Sequence, residues 1–246
     1  MTPIVGYMCA HNGAEFIEYA IRSTIDYVDK FVIIEGAWQT NIKANRQPRS
    51  VDGTIDILDM LKNEYGNKVE VYPHNDVNQI QQRSRIFEYI THPCWVWLID
   101  HDEVYDKYNA EKIRNICQNN YPADCIKINS LTFFNDTKHY APIAFNRLFK
   151  IIKNPKLYRM HGANHIIYPY QNKMTNMSKD IYYFHYSYLH TQERFLQKRR
   201  ERILVHGKFK WEIDQDGKVF TPNGRSFKIF EGEHPEIMKE HILWQK

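Results

Sequence analysis

Four short apolar runs alternate with helix-length segments over the first hundred residues, and this alternation constrains the fold more than any other feature. Pro3–Ala10 reads as a strand, and Lys30–Glu35 (KFVIIE) sets four consecutive apolar residues between charged ends. Lys68–Pro73 and Cys94–Ile99 (CWVWLI) read as a third and a fourth strand. Runs that are apolar throughout suit strands covered on both faces. Between them the pattern predicts helices over Ala14–Val28, Gly53–Tyr65 and Gln79–Ile90, with Asp52 placed to cap the second and Gly36–Val51 left as a polar loop. Such alternation implies right-handed crossovers and a mainly parallel sheet flanked by helices. The expected fold class is α/β and Rossmann-like.

Beyond Asp100 the spacing loosens. A helix is expected near Ala110–Asn120, then strands at Cys125–Phe134, Ala144–Ile152 and His165–Tyr170 in an antiparallel extension. Glu193–His206 returns to helix, and the polar last forty residues end in a short helix over Pro235–Trp244. The expected organisation is 1–105 as one half, 106–206 as the other half of the same domain, and 207–246 as an extension. Aromatic and β-branched residues are too plentiful for disorder. No apolar run approaches the roughly 20 residues of a membrane span, and MTPIVGYMCAHNGAE lacks the features of a signal peptide. Cys9, Cys94, Cys117 and Cys125 form no CxxC pair, which favours reduced thiols and a cytoplasmic setting. The net charge of +4 is too small to argue for a nucleic-acid partner. Charge is nevertheless uneven, with acids at Asp100–Asp106 and a basic cluster at Arg194–Lys210.

The sharpest chemical signal is WVWLIDHDEVY, residues 95–105, in which a buried strand runs directly into Asp100-His101-Asp102-Glu103. In open α/β sheets ligands bind beyond the carboxyl ends of the strands. Carboxylates packed this closely repel one another unless a cation is present, and their hard oxygens suit Mn²⁺ or Mg²⁺, which could bridge to a diphosphate. Glu35 ends the second strand, and Asp52 follows the loop after it; acids at strand tips commonly accept hydrogen bonds from a ribose or base. Asp52 can equally serve as a plain helix cap. Arg83 and Arg85 precede the acidic strand, and one of them is expected to reach the donor. Trp95 and Trp97 read as core.

The ordered set IVGYMCAHNGAEFIEYAIRSTIDYVDKFVIIEGA, SVDGTIDIL and QQRSRIFEYITHPCWVWLIDHDE resembles the N-terminal half of GT-A glycosyltransferases, especially the family 2-like group, over roughly residues 3–105. The acidic segment also resembles that of the family 17 β-1,4-N-acetylglucosaminyltransferases. FNRLFKIIKNPKLYRMHGANHIIY is similar to an R-L-F segment followed by a G-x-x-H-E element, with Ile166 where the general-base Glu stands. YYFHYSYLHTQERFLQKRRE resembles the late H-x-S-Y segment, placing His185 at a metal-ligand position and Lys198 at a diphosphate position. The resemblance implies a GT-A fold and transfer of a sugar from a nucleotide-diphosphate donor, UDP- or GDP-hexose favoured, to a glycan or other hydroxyl acceptor. Asp100, Asp102 and His185 would hold the metal, and Glu35, Asp52, Arg83, Asp100 and Lys198 the donor.

A single-displacement transfer needs a base at the acceptor hydroxyl. The candidates are His165, beside the expected base position, and Asp136, in an Asn135-Asp136-Thr137 turn. A metal-dependent phosphohydrolase and a non-catalytic carbohydrate-binding module are the rival readings. The first would need more metal ligands near one strand end, and the second has no need of the acid cluster.

Overall fold

A computed structural model describes residues 2–43, 46–119, 121–134, 136–160, 166–167, 174–176, 179–189, 196, 200, 203, 212–213, 219–220, 227–241 and 244. The first four strands are β1 (Ile4–Ala10), β2 (Lys30–Glu35), β3 (Val69–Pro73) and β4 (Cys94–Leu98). They pair in parallel in the order β3-β2-β1-β4, as the alternation predicts. The intervening helices are α1 (Ile17–Arg22), α2 (Gln39–Ile42), α3 (Thr54–Tyr65), α4 (Gln79–Ser84) and α5 (Ile86–Tyr89).

Several boundaries differ from expectation for local reasons. The helix expected over Ala14–Val28 stops at Arg22, where the Ser23 and Thr24 hydroxyls both donate to the Ala20 carbonyl at 2.9 Å and compete with the helical ladder. A 3₁₀ turn, Ile25–Tyr27, follows. The loop after β2 contains α2, and the helix expected over Gln79–Ile90 is divided at Arg85, whose amide bonds three residues back to Gln82.

The second half extends the sheet with β5 (Glu103–Val104), helix α6 (Lys107–Gln118), β6 (Cys125–Phe134) and β7 (His139–Ile151), the last starting five residues earlier than expected. Further strands are β8 (Arg159–Met160), β9 (Ile166–Ile167), β10 (Met174–Asn176), β11 (Tyr182–Tyr188), β12 (Glu212–Ile213), β13 (Val219–Phe220) and β14 (Lys228–Ile229). The main path continues β4-β7-β6-β11-β5, with β7 and β5 antiparallel to their neighbours and β11 parallel to β6. Of the strand expected at His165–Tyr170, Ile166–Ile167 is described; most of the helix expected at Glu193–His206 lies outside the described residues. The C-terminal helix is a 3₁₀ segment, Glu236–Glu240.

This order forces the sheet to curl. In a flat sheet β4 and β5 would stand about 19 Å apart, at about 4.8 Å per strand. The linker Ile99–Asp102 and its flanking bonds reach at most about 18 Å even fully extended, and the linker is turned, with Glu103 N donating to Asp100 O at 3.1 Å. The far strands therefore wrap back toward the end of β4 and carry β11 to the acidic turn, where Tyr186 N donates to Asp102 O at 2.9 Å.

Apolar side chains fill both faces. Trp97, Ile33 and Leu148 pack with α1, α3 and α6 on one side, and Tyr7, Val96 and Ile34 with α5 on the other. Trp95 and Trp97 are core, as expected. A third cluster, around Phe133, Phe184 and Tyr186, is covered by Phe230, Met238 and Trp244 of the C-terminal segment. His234 pins that segment by donating from Nε2 to Thr137 O at 2.8 Å, and His241 does the same to Glu15 O at 2.8 Å. All four cysteines are free thiols. Among the described residues no helix is long and apolar enough to cross a membrane.

Gly36 closes β2 with φ +146°, and a Cβ there would lie 2.2 Å from the His74 carbonyl oxygen. Both the dihedral and the backbone contact exclude a side chain. Gly36→Ala is expected to cost about 1–3 kcal/mol and to lower the thermal midpoint by at least about 2–4 °C, measured by calorimetry.

Candidate active site

The carboxyl ends of β1, β2 and β4 open on one edge of the sheet, and three loops meet there. Glu35, the last residue of β2, is fully buried. Its Oε1 accepts the Ser50 amide at 2.8 Å and its Oε2 accepts the Arg49 guanidinium. Ser50 Oγ in turn accepts the Asn12 amide at 2.8 Å, in the turn after β1. Asp52 accepts the Thr54 amide at 3.1 Å and the Thr54 hydroxyl at 2.6 Å through Oδ1, and the Ala14 amide at 3.1 Å through Oδ2. Burial raises the Asp52 carboxyl, but these hydrogen bonds outweigh it and the net shift is downward. The N-cap of α3 is Gly53, at φ +93°, and not Asp52 as expected; Asp52 stands one residue earlier, accepts the first helical amide and staples the loop that opens α1. Both carboxylates hold the crevice wall in shape.

The acidic turn forms the opposite wall. His101 packs its ring against Gly13, where a Cβ would meet His101 Cδ2 at 2.6 Å, so the glycine lets the two loops touch. Asp100 accepts Arg83 through Oδ1 and Arg147 through Oδ2, the latter at 3.0 Å. Arg83 comes from α4 and is 3% exposed; Arg147 comes from β7 and is 2% exposed. Arg147 also donates to Glu103 Oε1 and, through Nε, to the Tyr183 hydroxyl at 3.2 Å. Its guanidinium lies 5.2 Å from the Phe145 ring centroid and 5.4 Å from that of Tyr183.

The charge of the acid cluster is therefore compensated from within the chain. Burial raises the Asp100 carboxyl, yet Arg83 and Arg147 overcome it and bring its pKa down to about 2. Burial pushes Glu103 up to about 7 against the pull of the same Arg147. The sequence argument that these acids need a bound cation did not foresee two buried arginines. With both Asp100 oxygens engaged by guanidinium groups, Asp100 is placed as their anchor.

Asp102 and His185 face each other, with Oδ1 and Nε2 3.3 Å apart. His185 stands on β11, opposite Glu103 in the β5–β11 pair. Its Nδ1 lies 3.2 Å from Thr132 Oγ1, which is 2.7 Å from Ser130 Oγ. Without a cation, Nε2 carries the hydrogen toward the Asp102 carboxylate and Nδ1 accepts from the Thr132 hydroxyl; Thr132 can equally accept an Nδ1 hydrogen, which would free the Nε2 lone pair for a cation shared with Asp102.

These two donors suit a hard divalent cation that completes its shell from elsewhere. Adjacent ligands of an octahedral ion with bonds of about 2.1 Å lie about 3 Å apart, close to the observed separation. Magnesium-like ions commonly take one or two protein ligands, with water and substrate phosphates supplying the rest. Among the described residues no group of three or more His, Cys, Asp or Glu side chains is arranged to hold a metal ion by itself.

The structure thus brings Arg83, Asp100, Asp102 and His185 together, with Glu35 and Asp52 supporting the facing loops. Arg85 instead pairs with Asp76 at 2.7 Å and with Glu88. His165 and Lys198 lie outside the described residues. Asp136 lies at the tip of the β6–β7 hairpin, where Oδ1 accepts the Lys138 and His139 amides at 2.8 Å and both oxygens contact His139 Nδ1 at 2.8–2.9 Å. Sequence reasoning missed Arg147, Glu103 as a buried partner, and His139. The Asp-x-x-His spacing across a hairpin turn was the available signal for the last.

No family model matches the chain, and no curated protein matches it. Among solved structures it is similar to S. aureus TarS 1–349, at 12% identity and a TM-score of 0.48, over 82% of this chain and 65% of that one. It is also similar to GalNAc-T7 with UDP, GalNAc and Mn²⁺, at 12% identity and a TM-score of 0.49, over 80% of this chain and 47% of that one. A third similar structure is the inositol-1-phosphate CTP transferase from T. maritima, at 10% identity and a TM-score of 0.43, over 85% of this chain and 98% of that one. This chain therefore spans less than two thirds of the length of the first two.

Replacing Arg147 would leave the buried Glu103 and the partly buried Asp100 without their shared cation. Arg147→Met is expected to destabilise the fold by about 3–5 kcal/mol, read from urea unfolding. Adding Glu103→Gln should restore part of that loss, because it removes the buried carboxyl that must otherwise take up a proton once Arg147 is gone.

Proposed function

We propose that this chain is a metal-dependent GT-A glycosyltransferase that moves a sugar from a nucleotide-diphosphate donor, UDP- or GDP-hexose, to a glycan or other hydroxyl acceptor. The observation that carries the reading is the Asp102–His185 pair at the carboxyl edge of the parallel strands, 3.3 Å apart, flanked by an arginine-anchored Asp100. Two protein donors make an incomplete cation site that a diphosphate completes, and such a ligand belongs at this edge of an open α/β sheet. The ordered resemblance over residues 3–105 supports the same donor class.

Mn²⁺ or Mg²⁺ held there would supply Lewis-acid stabilisation of the departing diphosphate. The chain's own residues do the rest. Asp102 and His185 hold the cation, and Asp100, braced by Arg83 and Arg147, keeps the acidic turn in shape with its charge compensated. Glu35 and Asp52 shape the nucleoside side through Arg49, Ser50 and the Asn12–Ala14 turn. Lys198, on the segment after β11, adds charge against the diphosphate. The sugar carbon takes on oxocarbenium character as its bond to the diphosphate breaks.

A thermal-shift panel of UDP-, GDP-, CMP- and dTDP-sugars with and without Mn²⁺ tests this reading. Stabilisation is expected for a UDP- or GDP-sugar, only with the divalent ion, and absent in EDTA. Asp102→Asn should abolish the metal-dependent shift; because Asp102 is buried and paired with His185, the shift is read against the variant's own ligand-free midpoint. Equal stabilisation with and without metal, or in Asp102→Asn, contradicts the proposal.

A further inference from the structure

We infer that His139, oriented by Asp136, is the general base that deprotonates the acceptor hydroxyl; this rests on the transferase reading above and deepens it. The two side chains form a dyad at the start of β7. His139 Nδ1 lies 2.9 Å from Asp136 Oδ1 and 2.8 Å from Oδ2. Burial raises the Asp136 carboxyl, but the Lys138 amide, the His139 side chain and the His139 amide together hold it below the ordinary range. An ionised carboxylate only accepts hydrogen bonds, so Nδ1 carries the hydrogen and Nε2 keeps its lone pair for an incoming proton. Both side chains are about half exposed, at 45% and 48%, as a group that meets a soluble acceptor needs to be.

Strand register puts this dyad on the reacting side. β6 runs in the same direction as the parallel strands, so the β6–β7 turn lies at the same sheet edge as the acidic turn. Thr132 pairs with Ala141 on one side and with His185 on the other, so these three residues share a face. His139 is two residues before Ala141 in the same strand and projects to that face as well. Two strand spacings and a two-residue step separate His139 from His185, which is about 12 Å between backbones. The transferred sugar and its phosphate would span that gap, with the anomeric carbon between the cation pair and the base. The opposite face, carrying Phe133, Tyr140 and Phe184, is packed under the C-terminal segment.

The step balances without a further reactant. The acceptor oxygen forms a bond to the anomeric carbon as its proton passes to His139 Nε2. The bond from that carbon to the diphosphate oxygen breaks, and its electron pair leaves with the nucleotide diphosphate. Asp136 is a positioning residue, fixing the tautomer and stabilising the imidazolium.

Asp136→Asn separates this role from a structural one. Asparagine Oδ1 still accepts the Lys138 and His139 amides and keeps the turn, but the NH₂ in place of Oδ2, the nearer atom to Nδ1, can only donate; it competes with the Nδ1 hydrogen that Oδ1 can still accept, shifts the tautomer toward Nε2–H and removes the charge that stabilises the imidazolium. Nitrogen-15 NMR of the histidine rings is expected to show the Nδ1–H tautomer for His139 in the wild type and a larger share of the Nε2–H tautomer in Asp136→Asn. An Nε2–H tautomer in the wild type overturns the assignment whatever the acceptor. The second measurement is release of nucleotide diphosphate from UDP-glucose or GDP-mannose with Mn²⁺, water serving as acceptor. His139→Gln and Asp136→Asn should each lower kcat at least a hundredfold, within the usual range of about 10²–10⁴ for general base catalysis, with donor affinity unchanged. Donor binding by the wild type together with undiminished turnover in both variants overturns this inference alone. Failure of the wild type to bind any nucleotide sugar overturns the transferase reading and this inference with it.

Discussion

A single buried guanidinium holds the acidic turn together. Arg147 spans Asp100 and Glu103 from the neighbouring strand, and its charge opposes the burial that raises both carboxyls. Its own desolvation is offset by two carboxylates, the Tyr183 hydroxyl and two aromatic faces. Arg83 completes the compensation from the other side of Asp100. The result is a turn whose electrostatics are settled before any ligand arrives, and which leaves Asp102 as the carboxylate presented to His185.

The curl of the sheet follows from the same turn. Because β4 and β5 are joined by so short a linker, the strands between them in the sheet must bend around it, and that bend delivers β11. His185 then meets Asp102 although 83 positions separate them in the sequence. Thr132 on β6 fixes the imidazole from behind, and the same register carries His139 to the same face. Topology and chemistry are thus one constraint: the residues expected to handle the donor and the acceptor lie along one curved surface.

Much of the first half was legible because its signals are local. CWVWLI and KFVIIE read as buried strands without knowledge of their partners, and the acids after Leu98 stood out for ending such a strand. Asp102 and His185 were singled out, and the structure sets them side by side. The second half was less legible because its elements depend on distant pairing. β5 has only two residues and exists through its bonds to β11, so no periodicity reveals it. Arg147 looked like part of an R-L-F segment, and its role depends on a contact across 44 positions with Glu103. The extra length of β7 is stabilised by its hairpin with β6 and by β14, neither of which a HYAPIA stretch interrupted by Pro142 announces. His139 was missed because a histidine in a turn carries no pattern until its carboxylate neighbour is seen to bind it.

The central claim is that Asp102 and His185 form half of a cation site that a nucleotide diphosphate completes. Manganese binding followed by electron paramagnetic resonance, with and without UDP or GDP, tests it most directly. Weak binding of the ion alone, a large gain in affinity with one of the diphosphates, and loss of that gain in His185→Ala are the predicted results. Tight binding without nucleotide, or a diphosphate-dependent gain that survives in His185→Ala, would contradict the account.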